Sequence, residues 1–355
     1  LFLRSRTEGD FWPTVIGAGF VLVLVFAFWF FATGVTPDIW VPTLVYLGLH
    51  VVTIPALLWV AARDPKLRTV VFHPFLLKMA CVFPRYAISE YVYGGESDAQ
   101  QYRDGGIVFY DNVKHGEWSI EGSLIDKFPD ETRSVGYATG ILFLAVGTTF
   151  MGGYMVFTWL SFVGLLLFFR AFRVAFPNAP PYRCAYLVFF LPSALYWPSA
   201  LGKDALMVFA LGLLTFGLAR LLTPRRPLLG IPSAVAGGYI VAMVRPHLLA
   251  IALVGVAVSF LARNASRRVT KGTVAVRVLL LLLLIPGLFF ALGRLDDAFG
   301  DESGTVKVTQ VLEKTGKQTS IGGSSFQTQP VRSPLDLPVA LFSVIFRPFL
   351  FEAGS

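Results

Sequence analysis

The sequence predicts an all-α, polytopic membrane protein that forms a single transmembrane domain over residues 1–355. Its 355 residues are 55% hydrophobic and only 15% charged, and its mean hydropathy is +0.65. Repeated apolar runs are long enough to cross a bilayer as helices, which satisfy their own backbone hydrogen bonds in lipid. The Lys and Arg residues lie in short clusters beside those runs, so the net charge of +8 does not indicate nucleic-acid binding.

We expect about nine transmembrane helices with short, broken hairpins, because a span needs about 17–25 residues. Basic clusters fall at every second junction between the runs, which is typical of cytoplasmic loops. The alternate junctions then face outward and include two long extracytoplasmic loops, 94–136 and 294–336. The predicted spans cover residues 11–32, 40–62, 70–93, 137–172, 184–201, 205–222, 229–244, 247–262 and 273–293.

The run 70–93 leaves an alternative open, because it contains several ionisable side chains and is broken by Pro84. It could be an interfacial helix, with 137–172 crossing the membrane twice, and loop 94–136 would then be cytoplasmic. We prefer the outward placement of that loop. The glycines of the long run predict a broken helix or a re-entrant piece ahead of the true span, at Gly147 and Gly152-Gly153.

Two polar interruptions lie between short apolar runs, at Gly202-Lys203-Asp204 and Arg245-Pro246-His247. A run of about 16 residues reaches only about 24 Å, against a hydrocarbon core of about 30 Å. Ionisable groups near a membrane are costly unless they are paired or face water, so they indicate a functional site by default. We therefore expect both interruptions to line a depression on the outer side.

The charged side chains of these interruptions suit a phosphate group. Lys203 can neutralise a phosphate, and Arg245 can bind one through its guanidinium fork, which Arg347 could join. His247 can shuttle a proton near neutral pH. The alternatives are that Arg245 extends to lipid headgroups, that His247 caps a helix, and that Asp204 only favours a helix N-terminus.

Asp98 is the strongest candidate in the acidic stretch 96–104 of the first long loop. A carboxylate there can act as a general base on a hydroxyl group, or hold a divalent cation against a phosphate. The alternative is a solvated surface loop. No other cofactor is indicated, and the sequence contains no P-loop, HExxH, GxSxG or GxGxxG motif.

Several other side chains are expected to have structural roles. His50 lies in the middle of a predicted span without a nearby acid, and it is expected to be a packed, hydrogen-bonded residue. Cys81 and Cys184 lie in apolar stretches without metal-ligand spacing, so we expect neither a disulfide framework nor a metal site.

The polar motifs resemble those of bacterial, particularly actinobacterial, membrane proteins encoded in exopolysaccharide clusters. The Ser97-Asp98-Ala99 stretch followed by Tyr102 is similar to the first polar loop of GT-C-type glycosyltransferases and Wzy-like polymerases. The similarity covers roughly residues 90–350. The motifs that resemble the exopolysaccharide proteins are Phe190-Leu191-Pro192-Ser193, Trp197-Pro198-Ser199, Gly202-Lys203-Asp204-Ala205, Val244-Arg245-Pro246-His247 and Phe346-Arg347-Pro348.

This resemblance implies a multi-pass enzyme of the bacterial cytoplasmic (inner) membrane, acting on saccharides linked to polyprenyl phosphate or diphosphate at the outer face. Its partners would be that substrate, membrane lipid and a polysaccharide assembly complex. Arg245, Lys203 and Arg347 would bind the phosphate, and Asp98 or His247 would be the catalytic base. Tyr102 and Asp204 would support the site. The alternatives are a transporter or flippase of the lipid-linked saccharide and a non-enzymatic subunit of a membrane complex.

Overall fold

The computed structural model describes residues 37–61, 65–92, 97–223 and 230–261, together with position 338. Within these ranges every regular element is helical and no strand occurs. A short π-helical turn at Ile88–Val92 follows the helix Val82–Ala87. The α-helices are α1 Pro37–Ala61, α2 Pro65–Ala80, α3 Val82–Ala87, α4 Asp98–Lys114, α5 Asp130–Val146, α6 Phe150–Ala175, α7 Pro181–Phe190, α8 Pro192–Tyr196, α9 Lys203–Leu221, α10 Ile231–Val244 and α11 Pro246–Leu261.

Three helices in the described part of the chain are long and apolar enough to cross a membrane. They are Trp40–Leu58 within α1, the whole of α6 and the whole of α9. Two shorter apolar helices follow, Ile231–Val244 and Pro246–Val256. The prediction of an all-α membrane protein is confirmed at this level. The predicted spans 11–32 and 273–293 and the loop 294–336 lie outside the described residues.

Helix α6 is the centre of the bundle. Most of its side chains are buried, and it packs along α9 and also contacts α1, α2 and α7. Glycines let the backbones approach closely: a Cβ added to Gly212 of α9 would lie 2.4 Å from the Gly164 carbonyl oxygen of α6. Similarly, a Cβ on Gly237 of α10 would lie 2.4 Å from the Leu214 nitrogen of α9.

The segment 94–136, which the sequence predicts to be a long loop between spans, contains helical structure, because α4 and the start of α5 lie within it. The charged and amide side chains of α4 give it a polar composition that resembles a loop. Its buried residues nevertheless recur every three or four positions, as one face of an amphipathic helix requires. The buried positions are Ala99, Tyr102, Gly105, Gly106 and Phe109.

Helices α4 and α5 run parallel to each other. Gly105 of α4 lies against Gly136 of α5, and one turn later Phe109 lies against Gly140, so residue numbers rise together in both helices. The connection 115–129 therefore returns from the end of α4 to the start of α5. It packs on the helices through buried Ile120 and Ile125. As a result, α4 and α5 begin at the same end of the bundle.

The predicted break in the run 137–172 is confirmed at Gly147, where α5 ends. Gly147 has a φ of 83°, a left-handed value that glycine adopts without steric strain. The break predicted at Gly152-Gly153 is wrong, because both residues lie within α6, where they are buried against neighbouring side chains. Only α6 of the two helices in this run is among the candidate spans.

The runs 70–93 and 184–201 are not single continuous helices. Pro84 lacks an N–H group, and α2 ends four residues before it, at Ala80. In the second run α7 ends at Phe190, and the five-residue helix α8 follows from Pro192. The break within the run 184–201 agrees with the expectation of short, broken hairpins.

Candidate functional site

Four helices begin close together at one end of the bundle, which we call the polar end: α4, α5, α9 and α11. The Lys203 ammonium, on the first residue of α9, donates a hydrogen bond to Thr132 Oγ1 in the first turn of α5, at 2.9 Å. Asp204 accepts one from Arg245, which directly precedes α11, at 2.8 Å. Since α4 runs parallel to α5, its first residue Asp98 lies at this end as well.

The ion pair between Arg245 and Asp204 is exposed, with 39% and 50% of the two side chains accessible to solvent. Arg245 has an extended backbone, as expected of a residue before proline, and Pro246 begins α11. Pairs with this exposure contribute only about 0–1 kcal/mol to stability. Only one guanidinium nitrogen contacts Asp204, and a guanidinium has five donors, so Arg245 retains donors that can bind an anion.

Lys203 lies among groups of both signs. The charges that act on its ammonium are those of Asp98, Glu131, Asp204 and Arg245. Asp98 is exposed at the start of α4. The polar end therefore combines cations that can neutralise a phosphate with carboxylates that can accept a proton.

Tyr102 links α4 to the turn before Lys203. Only 3% of its surface is exposed, and its ring lies beside Gly202, where an added Cβ would be 3.5 Å from Tyr102 Cε2. Burial raises the pKa of the Tyr102 phenol well above its usual range, and the carboxylates of Asp98 and Asp204 raise it further, whereas Arg245 lowers it. The phenol therefore stays protonated at neutral pH and is a hydrogen-bond donor, not a base.

The sequence-predicted site residues largely come together. His247 is exposed on the first turn of α11, and the charges of Arg245 and Glu131 act on it. Arg347 lies outside the described residues. The predicted residues brought together at the polar end are Asp98, Tyr102, Lys203, Asp204, Arg245 and His247.

Two further members, Glu131 and Thr132, were missed by sequence reasoning because they fall in the segment interpreted as a loop. The signal that could have identified them is Pro129 followed by Asp130 and Glu131, since acidic residues are favoured in the first turn of a helix. In the ranges that the structure describes, no group of three His, Cys, Asp or Glu side chains is arranged to hold a metal ion.

Known proteins do not identify the family of this chain. No family model, no curated protein and no solved structure matches it. The resemblance to exopolysaccharide-cluster proteins therefore stays a prediction, and the chemistry of the polar end has to be inferred from its own residues.

An open cleft of about 550 Å³ lies on the face of α4 opposite its buried face. This volume is within the range of small-molecule sites. The cleft begins at Ser97, the residue before Asp98, so it extends from the polar end along α4. Its lining combines amide, guanidinium, carboxylate and hydroxyl groups with two apolar side chains: Ser97, Gln100, Gln101, Arg103, Asp104, Ile107 and Leu124.

The interpretation of His50 as a packed residue is confirmed. Its Nδ1 lies 2.8 Å from the Tyr46 carbonyl oxygen, to which it donates a hydrogen bond in the tautomer that carries this proton. Its ring packs in tilted arrangements against Tyr46 and Phe75, with distances between ring centroids of 4.2 Å and 4.9 Å. It lies in α1, and none of its contacts in the described part of the chain is with a residue of the polar end.

Proposed function

We propose that this chain is a membrane enzyme that acts on a saccharide linked to polyprenyl phosphate or diphosphate. It would polymerise repeat units or transfer a sugar at the outer face of the bacterial cytoplasmic membrane, with about nine crossings in the complete topology. The observation that carries the proposal is the convergence of Lys203 and Arg245 with Asp98 and His247 at one end of an apolar helix bundle.

The cations would bind the lipid phosphate. A polyprenyl chain requires an apolar surface beside its anionic headgroup, and the polar end lies at the N-terminus of α9, a helix that can cross the membrane. Arg245 and Lys203 would stabilise the negative charge that develops on the leaving phosphate as the bond to the sugar breaks. The N-termini of the four helices add favourable partial positive charge.

A carboxylate or a histidine would activate the acceptor. Asp98 or His247 would take the proton of an acceptor hydroxyl, whose oxygen then attacks the anomeric carbon. A new glycosidic bond forms, and the bond between the sugar and the lipid phosphate breaks. The cleft that starts at Ser97, next to Asp98, is lined by polar side chains that can form hydrogen bonds with the hydroxyl groups of a saccharide.

Turnover of a lipid-linked saccharide by the purified chain in lipid nanodiscs tests this proposal. We expect the natural sequence to release polyprenyl phosphate or diphosphate, and Arg245→Ala to reduce the rate by about 100-fold or more, as loss of a preorganised charge donor does. Of Asp98→Asn and His247→Asn, the variant with the larger loss identifies the base.

The matched control is Lys114→Ala, which removes an exposed cation from the opposite end of α4 and should leave turnover unchanged. If the purified chain moves the lipid-linked saccharide across the bilayer without cleaving it, the protein is a transporter and the proposal is wrong. If the purified chain neither cleaves nor moves the substrate, and turnover occurs only when the chain is part of a larger complex, the protein is a non-enzymatic subunit.

A further inference from the structure

Lys78 is a fully buried basic side chain that joins α2 to α8. It is 0% exposed, and its side-chain nitrogen donates hydrogen bonds to the Ala194 carbonyl oxygen at 2.7 Å and the Leu195 carbonyl oxygen at 3.0 Å. An ionisable residue buried in a membrane protein indicates a function by default. Because it is enclosed, Lys78 cannot itself touch a ligand at the polar end.

The Ala194 carbonyl needs this donor because of a proline. In a continuous helix the Ala194 oxygen would accept the N–H of residue 198, but residue 198 is Pro198, which has none. The Ser199 N–H bonds to Tyr196 instead of to Leu195, and the Ser199 hydroxyl donates to the Leu195 oxygen. Lys78 thus replaces the backbone donor that Pro198 removes.

The segment held in this way leads directly to the polar end. Residues 197–202 connect α8 to Lys203, and Ser199, Ala200 and Leu201 within it are buried. A second basic side chain contacts the start of the segment: the Arg85 guanidinium lies 5.3 Å from the Tyr196 ring centroid and 5.1 Å from that of Trp197. The position of Lys203 therefore depends on contacts made from α2 and α3.

We propose that Lys78 is a positioning residue, which fixes the turn 197–202 and thereby holds Lys203 and Asp204 where they meet the ligand. The proposal rests on the proposed function in so far as that ligand is a lipid phosphate. It explains why a buried lysine faces two carbonyls instead of an acid: the groups that it stabilises are backbone acceptors without a helical donor.

A double-mutant cycle between Lys78 and Pro198 tests this inference. In nanodiscs, Lys78→Met should weaken the binding of farnesyl diphosphate about tenfold, equivalent to about 1.4 kcal/mol, and should lower the thermal unfolding midpoint. Pro198→Ala restores an N–H donor for Ala194, so the double variant should regain most of both losses. Lack of rescue in binding and in unfolding midpoint would overturn the proposal.

Met79→Ala is the control. Met79 is also fully buried on α2, but its side chain has no hydrogen-bond donor that could bind the Ala194 or Leu195 carbonyl oxygen. It should lower the unfolding midpoint without rescue by Pro198→Ala. If Lys78→Met does not fold, the yield of folded protein is measured instead of the unfolding midpoint. A yield of the double variant as low as that of Lys78→Met alone contradicts the proposal.

The experiment separates this inference from the proposed function. If the natural sequence does not bind farnesyl diphosphate, the lipid-phosphate site is wrong, whereas rescue of the unfolding midpoint would still support the pairing of Lys78 with Pro198. If the natural sequence binds and Pro198→Ala does not rescue, the positioning role is wrong and the proposed function is unaffected.

Discussion

The interior of the bundle and its polar end are held together by different kinds of contact. In the interior, α6, α9 and α10 meet backbone to backbone at Gly164, Gly212 and Gly237. At the polar end, half-exposed side chains form single hydrogen bonds, such as the one from Arg245 to Asp204. Interior contacts leave no room for another group, whereas the contacts at the polar end can be exchanged for those of a ligand.

This difference predicts two separate classes of substitution. Changes at the glycine contacts of the interior should lower the free energy of unfolding, and ligand binding should fall only as folded protein is lost. Changes at the polar end should weaken ligand binding with little effect on stability. A variant that shows the opposite behaviour would break the comparison.

The largest effect on stability is expected for Gly212→Ala. The new Cβ would lie 2.4 Å from the Gly164 oxygen and 2.7 Å from its Cα. Because both are backbone atoms, α6 and α9 must move apart, and overpacking of this kind costs about 1–3 kcal/mol. Thermal unfolding in nanodiscs, followed by the loss of folded monomer, measures the change.

Gly48→Ala is the matched control, because no atom of the described residues lies within 4 Å of the Cβ that it adds to α1. Alanine has the higher helix propensity by up to about 1 kcal/mol, so this variant should be as stable as the natural sequence or more stable. Equal unfolding midpoints for Gly212→Ala and Gly48→Ala would show that the interior is not closely packed at this point.

The smallest effect is expected for Gly202→Ala, although Gly202 belongs to one of the polar motifs. Its φ of 164° is extended backbone that alanine also adopts. The added Cβ would make an ordinary contact with Tyr102, at 3.5 Å from Cε2. Both the unfolding midpoint and farnesyl diphosphate binding should stay close to those of the natural sequence, within about 0.5 kcal/mol. A larger loss would mean that the turn requires glycine.

The sequence predicted the residues of the polar end well, because fixed charges between apolar runs are conspicuous and costly. Lys203, Asp204, Arg245 and His247 were found from this signal alone. Their meeting with Asp98 could not be derived in the same way. It depends on α4 and α5 running parallel, which glycine contacts between Gly105 and Gly136 make feasible and which no local pattern indicates.

The segments that were mispredicted share a physical cause. Composition over a window hides a helix whose buried face is narrow, so α4 resembled a loop. The hydrogen bonds of Lys78, in the run 70–93, could not be predicted from the sequence, because the carbonyl groups to which its side-chain nitrogen donates lie 116 and 117 positions away along the chain. The sequence shows that Pro198 lacks an N–H group, but the donor that compensates for it comes from a distant helix, and only the folded chain brings the two together.

Binding of farnesyl diphosphate to the full chain in nanodiscs tests the lipid-phosphate site most directly. The natural sequence should bind it, and Lys203→Met and Arg245→Met should each weaken binding by about tenfold or more, with unfolding midpoints unchanged and Lys114→Met without effect. A double variant of Lys203 and Arg245 that binds as tightly as the natural sequence would contradict the account.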